Sequence, residues 1–230
     1  MPRPNLYIGV TGTNTDVGKT YVGSRLLRSL KQKGLSVSAR KPAQSYDKGD
    51  RQLLDSQVLA AETEEDHLTV CSQSNTFEIA LAPFMAKKEL YGTELMLKEI
   101  SDVIFNSQAD VGLLEGAGGV LSPFCRDADF IDLMELQKVD IVLCVADATL
   151  GSLNAILTNY FGFKYQTEKR NCVNLKKAEF IVFLNRFDED LRLHQLNYDW
   201  LKNNFEQAVY NDIDELSEYV ADLANKNKSY

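Results

Sequence analysis

The sequence predicts an α/β fold: a doubly wound, mainly parallel sheet with a phosphate-binding loop after the first strand. Three observations carry this. Short apolar runs alternate with longer amphipathic segments, the pattern of parallel strands joined by crossover helices. The apolar runs are brief and flanked by polar or glycine-rich residues, as strands covered on both faces should be. The first run leads through small and polar residues to Gly18-Lys19-Thr20, where a helical pattern begins.

Taken in order, Leu6-Tyr7-Ile8-Gly9-Val10 reads as the first strand. Residues 18–33 follow as a helix with Val22, Leu26, Leu27 and Leu30 on one face, and Gly34 stands where a C-terminal capping glycine belongs. Residues 36–40 form the second strand, and 111–114, 141–146 and 180–184 are three more. Residues 52–61, 93–106 and 130–137 repeat apolar positions every three or four residues, so each is expected to be helical. Trp200, on an expected helix over 198–205, reads as a packing anchor. Residues 164–177 carry Lys164, Lys169, Arg170, Lys176 and Lys177 and read as a solvated loop or helix end. With no repeat, low-complexity tract or linker in view, residues 1–230 are expected to form a single domain.

Composition narrows the function. An apolar share of 44% is too high for a disordered chain, yet no run approaches the roughly 18–20 apolar residues of a membrane span. A net charge of −8 argues against a general nucleic-acid or anionic-membrane binder, so neither partner is expected. Cys71, Cys125, Cys144 and Cys172 lack CxxC spacing, and most of them read as buried thiols. His67 and His194 are isolated. Met1-Pro2-Arg3-Pro4 has no signal-peptide character, so a cytoplasmic, reducing location is expected.

Three clusters carry chemistry. Residues 11–20, Thr11-Gly12-Thr13-Asn14-Thr15-Asp16-Val17-Gly18-Lys19-Thr20, form a P-loop in the strand–loop–helix context it requires. Small residues let backbone N–H groups of Asn14, Thr15, Asp16, Val17 and Gly18 turn toward phosphate oxygens, and the helix start adds partial positive charge. Lys19 would reach the outer phosphates and the Thr20 hydroxyl would bind Mg²⁺. Thr13 occupies the first glycine position of the usual GxxxxGK[ST] pattern, with Gly12 one residue earlier.

The second cluster, Glu115-Gly116-Ala117-Gly118-Gly119, directly follows a strand, so Glu115 would enter the crevice where open α/β sheets bind ligands. Taken alone it is equally a metal partner or a solvated acid on a glycine turn; beside a P-loop it is expected to meet the ion held by Thr20. The third is Lys41-Pro42-Ala43-Gln44-Ser45, in which Lys41 would neutralise charge on a transferring phosphoryl group and Ser45 would donate to an anion. Asp55, at an expected helix start, is either a third Mg²⁺ partner or a cap or surface acid.

Together these motifs strongly resemble the dethiobiotin synthetase family of biotin biosynthesis, whose loop has the form GTxTxVGKT with the same early glycine. The resemblance continues in order through Ala82-Pro83, Gly151-Ser152-Leu153-Asn154 and Asn185-Arg186, covering about residues 6–187. It implies Mg²⁺ and ATP as cofactors, and 7,8-diaminopelargonic acid and CO₂ or bicarbonate as substrates, joined through a carbamate that ATP phosphorylates. It further implies that Thr20, Asp55 and Glu115 hold Mg²⁺ and that Lys19 and Lys41 are catalytic. Asn185 would read the adenine edge, and Ser45 and Gly118 would serve substrate binding. The family's homodimer places substrate at the interface, so Gly151, Ser152 and Asn154 would come from the other subunit, with Tyr198 beside them.

The sequence departs from the pattern in places. Tyr46 and Phe84 stand where glycine and histidine are usual, and Asn211-Asp212-Ile213-Asp214 replaces a Gly-x-Ile-Pro turn near the base. Another ATP-dependent ligase on this fold, a partition-type nucleotide switch and a non-catalytic nucleotide binder are the competing readings. The switch class has an early lysine where this chain has Asn14 and a basic C-terminal helix where this chain carries Asp214, Glu215, Glu218 and Asp222.

Overall fold

A computed structural model of the chain describes residues 3–49, 53–105 and 108–228. Its main sheet has six strands, all parallel: β1 (Leu6–Gly12), β2 (Val37–Arg40), β5 (Val111–Gly119), β6 (Ile141–Asp147), β7 (Glu179–Asn185) and β8 (Ala208–Tyr210), in the order β2-β5-β1-β6-β7-β8. Order reverses beside β1, which places the crevice of a doubly wound sheet above its C-terminal end. A separate two-stranded parallel ladder joins β3 (Gln44–Ser45) to β4 (Thr76–Phe77).

Nine α-helices complete the described chain: α1 (Lys19–Gln32), α2 (Asp55–Thr63), α3 (His67–Val70), α4 (Pro83–Tyr91), α5 (Leu97–Ile100), α6 (Phe130–Gln137), α7 (Ser152–Lys169), α8 (Arg192–Asn204) and α9 (Ile213–Lys228). Alternation along β1 divides the core. Leu6, Ile8 and Val10 face a cluster with Leu26, Leu27 and Leu30 of α1 and Leu216 and Val220 of α9. Tyr7 faces the opposite cluster, with Phe130 and Met134 of α6 and Tyr160 and Phe163 of α7. None of the described helices is long and apolar enough to cross a membrane.

The expected elements form, with corrections. Helix α1 ends on Gly34 at φ 83°, with Leu35 N–H donating to Leu30 C=O, as the capping glycine predicts. The helix expected over 52–61 is α2, beginning at Asp55; Gln52 lies outside the described residues. Over 93–106 only the single turn α5 is helical, and Asn106 lies outside the described residues. Two carbonyls there are taken by distant side chains: Ser101 O accepts from Gln137 and Ile104 O from Arg40. The apolar residues of that stretch, Leu95, Ile100 and Phe105, are buried without a helix.

Trp200 is not an anchor. The buried face of α8 runs through His194, Asn197 and Leu201, which leaves Trp200 40% exposed. All four cysteines are buried and free, and burial pushes the Cys144 thiol up to about 12, so it stays protonated. The basic stretch is the end of α7 and the turn after it, where Arg170 pairs with Asp129 and Asp132 at 2.6 and 2.8 Å.

Candidate active site

The P-loop connects β1 to α1 in the crevice. Asp16 and Gly18 both have left-handed backbone, φ 57° and 90°, which turns the chain back over the helix start. A Cβ on Gly18 would stand 2.1 Å from Asn185 Nδ2, so this position requires glycine both for its torsion and for its neighbour. As N-cap of α1, Gly18 offers no side-chain acceptor, so the first-turn N–H groups remain for an external anion. Lys19 Nζ donates to Asn14 C=O at 3.0 Å, folded back along the loop. Burial, then the charge of Lys41, lowers its pKa.

Beneath the loop lies a cluster of four side chains, from α1, α2, β5 and the residue after β2. Thr20 Oγ1 is 2.8 Å from both Asp55 Oδ1 and Glu115 Oε1. Lys41 Nζ is 2.5 Å from Glu115 Oε1, 2.8 Å from Asp55 Oδ2 and 3.1 Å from Gly116 C=O. Glu115 has no exposed side-chain surface, Lys41 is 3% exposed, and Asp55 opens to solvent at 42%. Burial works against the charge on Lys41, but the two carboxylates outweigh it and raise its pKa. For Glu115 burial is the stronger influence and its pKa is raised. Burial opposes ionisation of Asp55 too, but Lys41 and the Thr20 hydroxyl hold its pKa below the usual range.

Glu115 corrects the sequence reading in one respect. Strand β5 continues through Gly119, so Glu115 is not beyond the strand but within it, opposite Val10 of β1. The ladder persists because β1 itself runs on to Gly12, which pairs with Gly119 across a register shift. Gly116 lies against the Phe130 ring, and Gly118, at φ 72°, brings the chain onto Ser122, whose hydroxyl accepts from Gly119 N–H at 2.7 Å.

The residues present fit a hard divalent cation. Thr20, Asp55 and Glu115 offer only oxygen, and Glu115 Oε2 is buried with no hydrogen-bond partner. Among the described residues no group of three or more His, Cys, Asp or Glu could enclose a metal, so the fit is to an ion that shares its shell with phosphate oxygens and water.

Asn185, at the end of β7, donates Nδ2 to Val17 C=O at 2.8 Å and thus braces the loop. It also lines a cleft of about 820 Å³ with Tyr21, Arg25, Phe187 and Asn211–Asp214 (residues 211–214). Asp212 caps α9 there, accepting from the N–H groups of Asp214 and Glu215 at 2.8 and 3.0 Å. Ser45 Oγ is buried without a partner, and Tyr46 is half-buried beside it. Phe84 packs on the core.

Gly151, Ser152 and Asn154 stand apart, at the start of α7. Ser152 is buried and accepts from Asn197 Nδ2 at 3.3 Å, whereas Gly151 and Asn154 are exposed. Tyr198 is half-buried against Phe187, with Lys202 over its ring. Two residues had no role in the sequence reading. Arg186, also left-handed at φ 54°, joins Asp147 Oδ1 at 2.9 Å to Asp16 C=O at 2.8 Å, tying the P-loop to β6. Gln44, buried beside Ser45, bonds to Ser56 and Thr76. Their positions next to Asn185 and Ser45 were the available signal.

A phosphate-binding loop that opens a helix, over a hydroxyl, two carboxylates and a lysine at the switch point of a parallel sheet, defines the P-loop nucleotide-binding class. Residues 7–187 match the family model described as an AAA domain. The chain is 31% identical over 198 residues to ATP-dependent dethiobiotin synthetase BioD of Brachyspira hyodysenteriae, covering 83% of each. It is 31% identical over 153 residues to ATP-dependent dethiobiotin synthetase BioD 2 of Haemophilus influenzae, covering 65% of this chain and 80% of that protein. Among solved structures, the nucleotide-binding protein from Archaeoglobus fulgidus in complex with ADP aligns over 98% of this chain and 89% of that one, at 15% identity and a TM-score of 0.47. The chain belongs to the ATP-dependent dethiobiotin synthetase family.

Proposed function

We propose that this chain is a Mg²⁺- and ATP-dependent dethiobiotin synthetase, which carboxylates 7,8-diaminopelargonic acid and closes the ureido ring. The observation that carries the reading is Lys41, a buried ammonium held between Asp55 and Glu115 next to Thr20 and below the P-loop. Phosphoryl transfer onto a carbamate brings two anions together, and fixed positive charge at that point lowers the barrier.

In the proposed sequence one substrate amine takes up CO₂ and loses a proton to give a carbamate. A carbamate oxygen then attacks the γ-phosphorus of ATP, breaking its bond to the β–γ bridging oxygen and releasing ADP. The second amine attacks the carbonyl carbon of the mixed anhydride and expels phosphate, closing the ring. Lys19 would leave Asn14 C=O to meet the phosphates, and Lys41 would neutralise charge on the carbamate and the transferring group. The N–H groups of Asn14, Thr15, Asp16, Val17 and Gly18 would hold the nucleotide in line. Thr20, Asp55 and Glu115 would hold Mg²⁺, which supplies further charge neutralisation at the phosphates. Ser45 and Gly118 would help position the diamine, and the Asn185 carboxamide would read the base in its cleft.

The reading includes a cytoplasmic homodimer of single-domain subunits, with Gly151, Ser152 and Asn154 offered to the neighbour's substrate. An exposed apolar stripe supports this: Leu150 is 86% exposed, and Phe161 and Tyr165 of α7 are 59% and 60% exposed. Asn154 lies on the same helix.

The test is to incubate the purified protein with diaminopelargonate, bicarbonate and MgATP and to look for dethiobiotin by mass spectrometry. Dethiobiotin formed in step with phosphate supports the assignment. ATP turnover that ignores diaminopelargonate but responds to DNA or lipid overturns it in favour of a nucleotide switch.

A further inference from the structure

Helix α2 begins with a defect. Its N-cap residue is Leu54, which has no side-chain acceptor; the Leu54 C=O takes the Gln57 N–H at 2.9 Å, but the Ser56 N–H lacks its usual local partner. Gln57 Oε1 accepts from Leu54 N–H at 2.9 Å, which satisfies the residue before the helix but not Ser56. The N–H of Ser56, second residue of the helix, instead donates at 3.1 Å to Oε1 of Gln44, twelve residues earlier in the chain. Gln44 Nε2 donates in turn to Ser56 Oγ at 2.9 Å and to Thr76 Oγ1 of β4 at 3.1 Å. The whole carboxamide is buried, with Gln44 4% exposed.

Asp55 is the first residue of that helix. It is also the one member of the lysine–carboxylate cluster that opens to solvent. Its carboxylate is held by Thr20 and Lys41, but its backbone is placed by the start of α2. Gln44 lies on β3, three residues after Lys41, so one carboxamide joins the segment that carries the lysine to β4 and to the aspartate's helix.

We propose that Gln44 is a positioning residue that caps α2 in trans and thereby sets Asp55 for the divalent cation. The proposal rests on the reading of Asp55 as a metal partner. Residues that orient a metal's protein partners without touching the ion typically change metal affinity about 10–100-fold when removed. A cap supplied from outside the helix has a specific signature: a cap returned at the local position should replace it.

The experiment uses the full chain with ADP and Mn²⁺ as the probe, reading free Mn²⁺ by electron paramagnetic resonance. Gln44→Met is expected to weaken Mn²⁺ binding about tenfold while leaving the affinity for metal-free ADP within about twofold. Leu54→Ser in that background supplies a local acceptor and is expected to return Mn²⁺ affinity to within about threefold of the original. Gln44→Asn, which keeps a polar group but withdraws it by one methylene, is the second variant and is expected to weaken Mn²⁺ binding likewise. Unchanged Mn²⁺ affinity in both Gln44 variants overturns the proposal, as does an equal loss of metal-free ADP affinity or a failure of Leu54→Ser to restore binding. Asp55→Asn run in parallel separates the two layers: unchanged Mn²⁺ affinity there removes Asp55 from the metal site and the proposal with it.

Discussion

Replacing Lys41 with methionine keeps a side chain of similar length and leaves the Glu115 carboxylate, which has no exposed surface, without its counter-charge 2.5 Å away. Removing one partner of a buried ion pair costs about 3–5 kcal/mol. At about 2.1 cal/mol/K of unfolding entropy per residue, a chain of 230 residues would lose about 6–10 °C in Tm. The loss should depend on pH, with a defined sign. Burial already raises the pKa of Glu115, and losing Lys41 raises it further. A carboxyl whose folded pKa lies above its unfolded value stabilises the fold at low pH and loses that contribution as pH rises through the folded value. Asp55, held low chiefly by Lys41 against its burial, also shifts upward when the lysine goes. Both effects enlarge the deficit as pH rises above the ordinary carboxylate range. Differential scanning calorimetry of Lys41→Met and the parent chain at pH 5 and pH 8, without nucleotide or metal, measures it. A deficit under about 2 °C, or one equal at the two pH values, would mean that Lys41 does not balance a buried carboxylate charge.

Other substitutions separate loop chemistry from packing. Lys19→Ala removes an amine whose single described hydrogen bond is to Asn14 C=O, so phosphate release should vanish while Tm stays within about 2 °C. A larger drop in Tm would show a structural role instead. Gly18→Ala must adopt φ 90° against Asn185 Nδ2, and calorimetric titration should show ATP affinity reduced at least about tenfold; unchanged affinity would mean that the loop does not need this close approach. Arg170→Gln loses the pairs to Asp129 and Asp132 and should lower stability by about 1 kcal/mol with kcat unchanged, as expected if the basic stretch is structural. A change in KM for ATP would instead assign it to anion binding.

The P-loop was legible because its signals are local. Gly18-Lys19-Thr20 between a strand and a helix determines backbone direction, charge and hydroxyl at once, and β1, α1 and α6 follow from periodicity that a single face of the core enforces. What escaped depends on residues far apart in the chain. The apolar spacing of 93–106 resembles a helix, yet the carbonyls at Ser101 and Ile104 are claimed by Gln137 and Arg40. Glu115 stood out beside a glycine turn, but its burial inside β5 rests on how far β1 extends beside it. For Gln44 the position beside Ser45 was the sole signal, since a glutamine that bonds to a helix start from another segment leaves no periodic pattern in either segment. Asp55 was ambiguous in the sequence between metal partner and helix-start acid, and in the structure it is the first residue of α2 with its carboxylate in the cluster.

The proposed function requires that this chain phosphorylate a carbamate of diaminopelargonate. The most direct test is a single turnover with MgATP, diaminopelargonate and freshly dissolved CO₂ labelled with ¹⁸O. Attack of a carbamate oxygen on the γ-phosphorus, followed by ring closure, carries one labelled oxygen into the released phosphate and leaves the other in the ureido carbonyl. Labelled phosphate formed together with dethiobiotin is the expected result. Phosphate that carries no label, or that appears without diaminopelargonate, would contradict the claim.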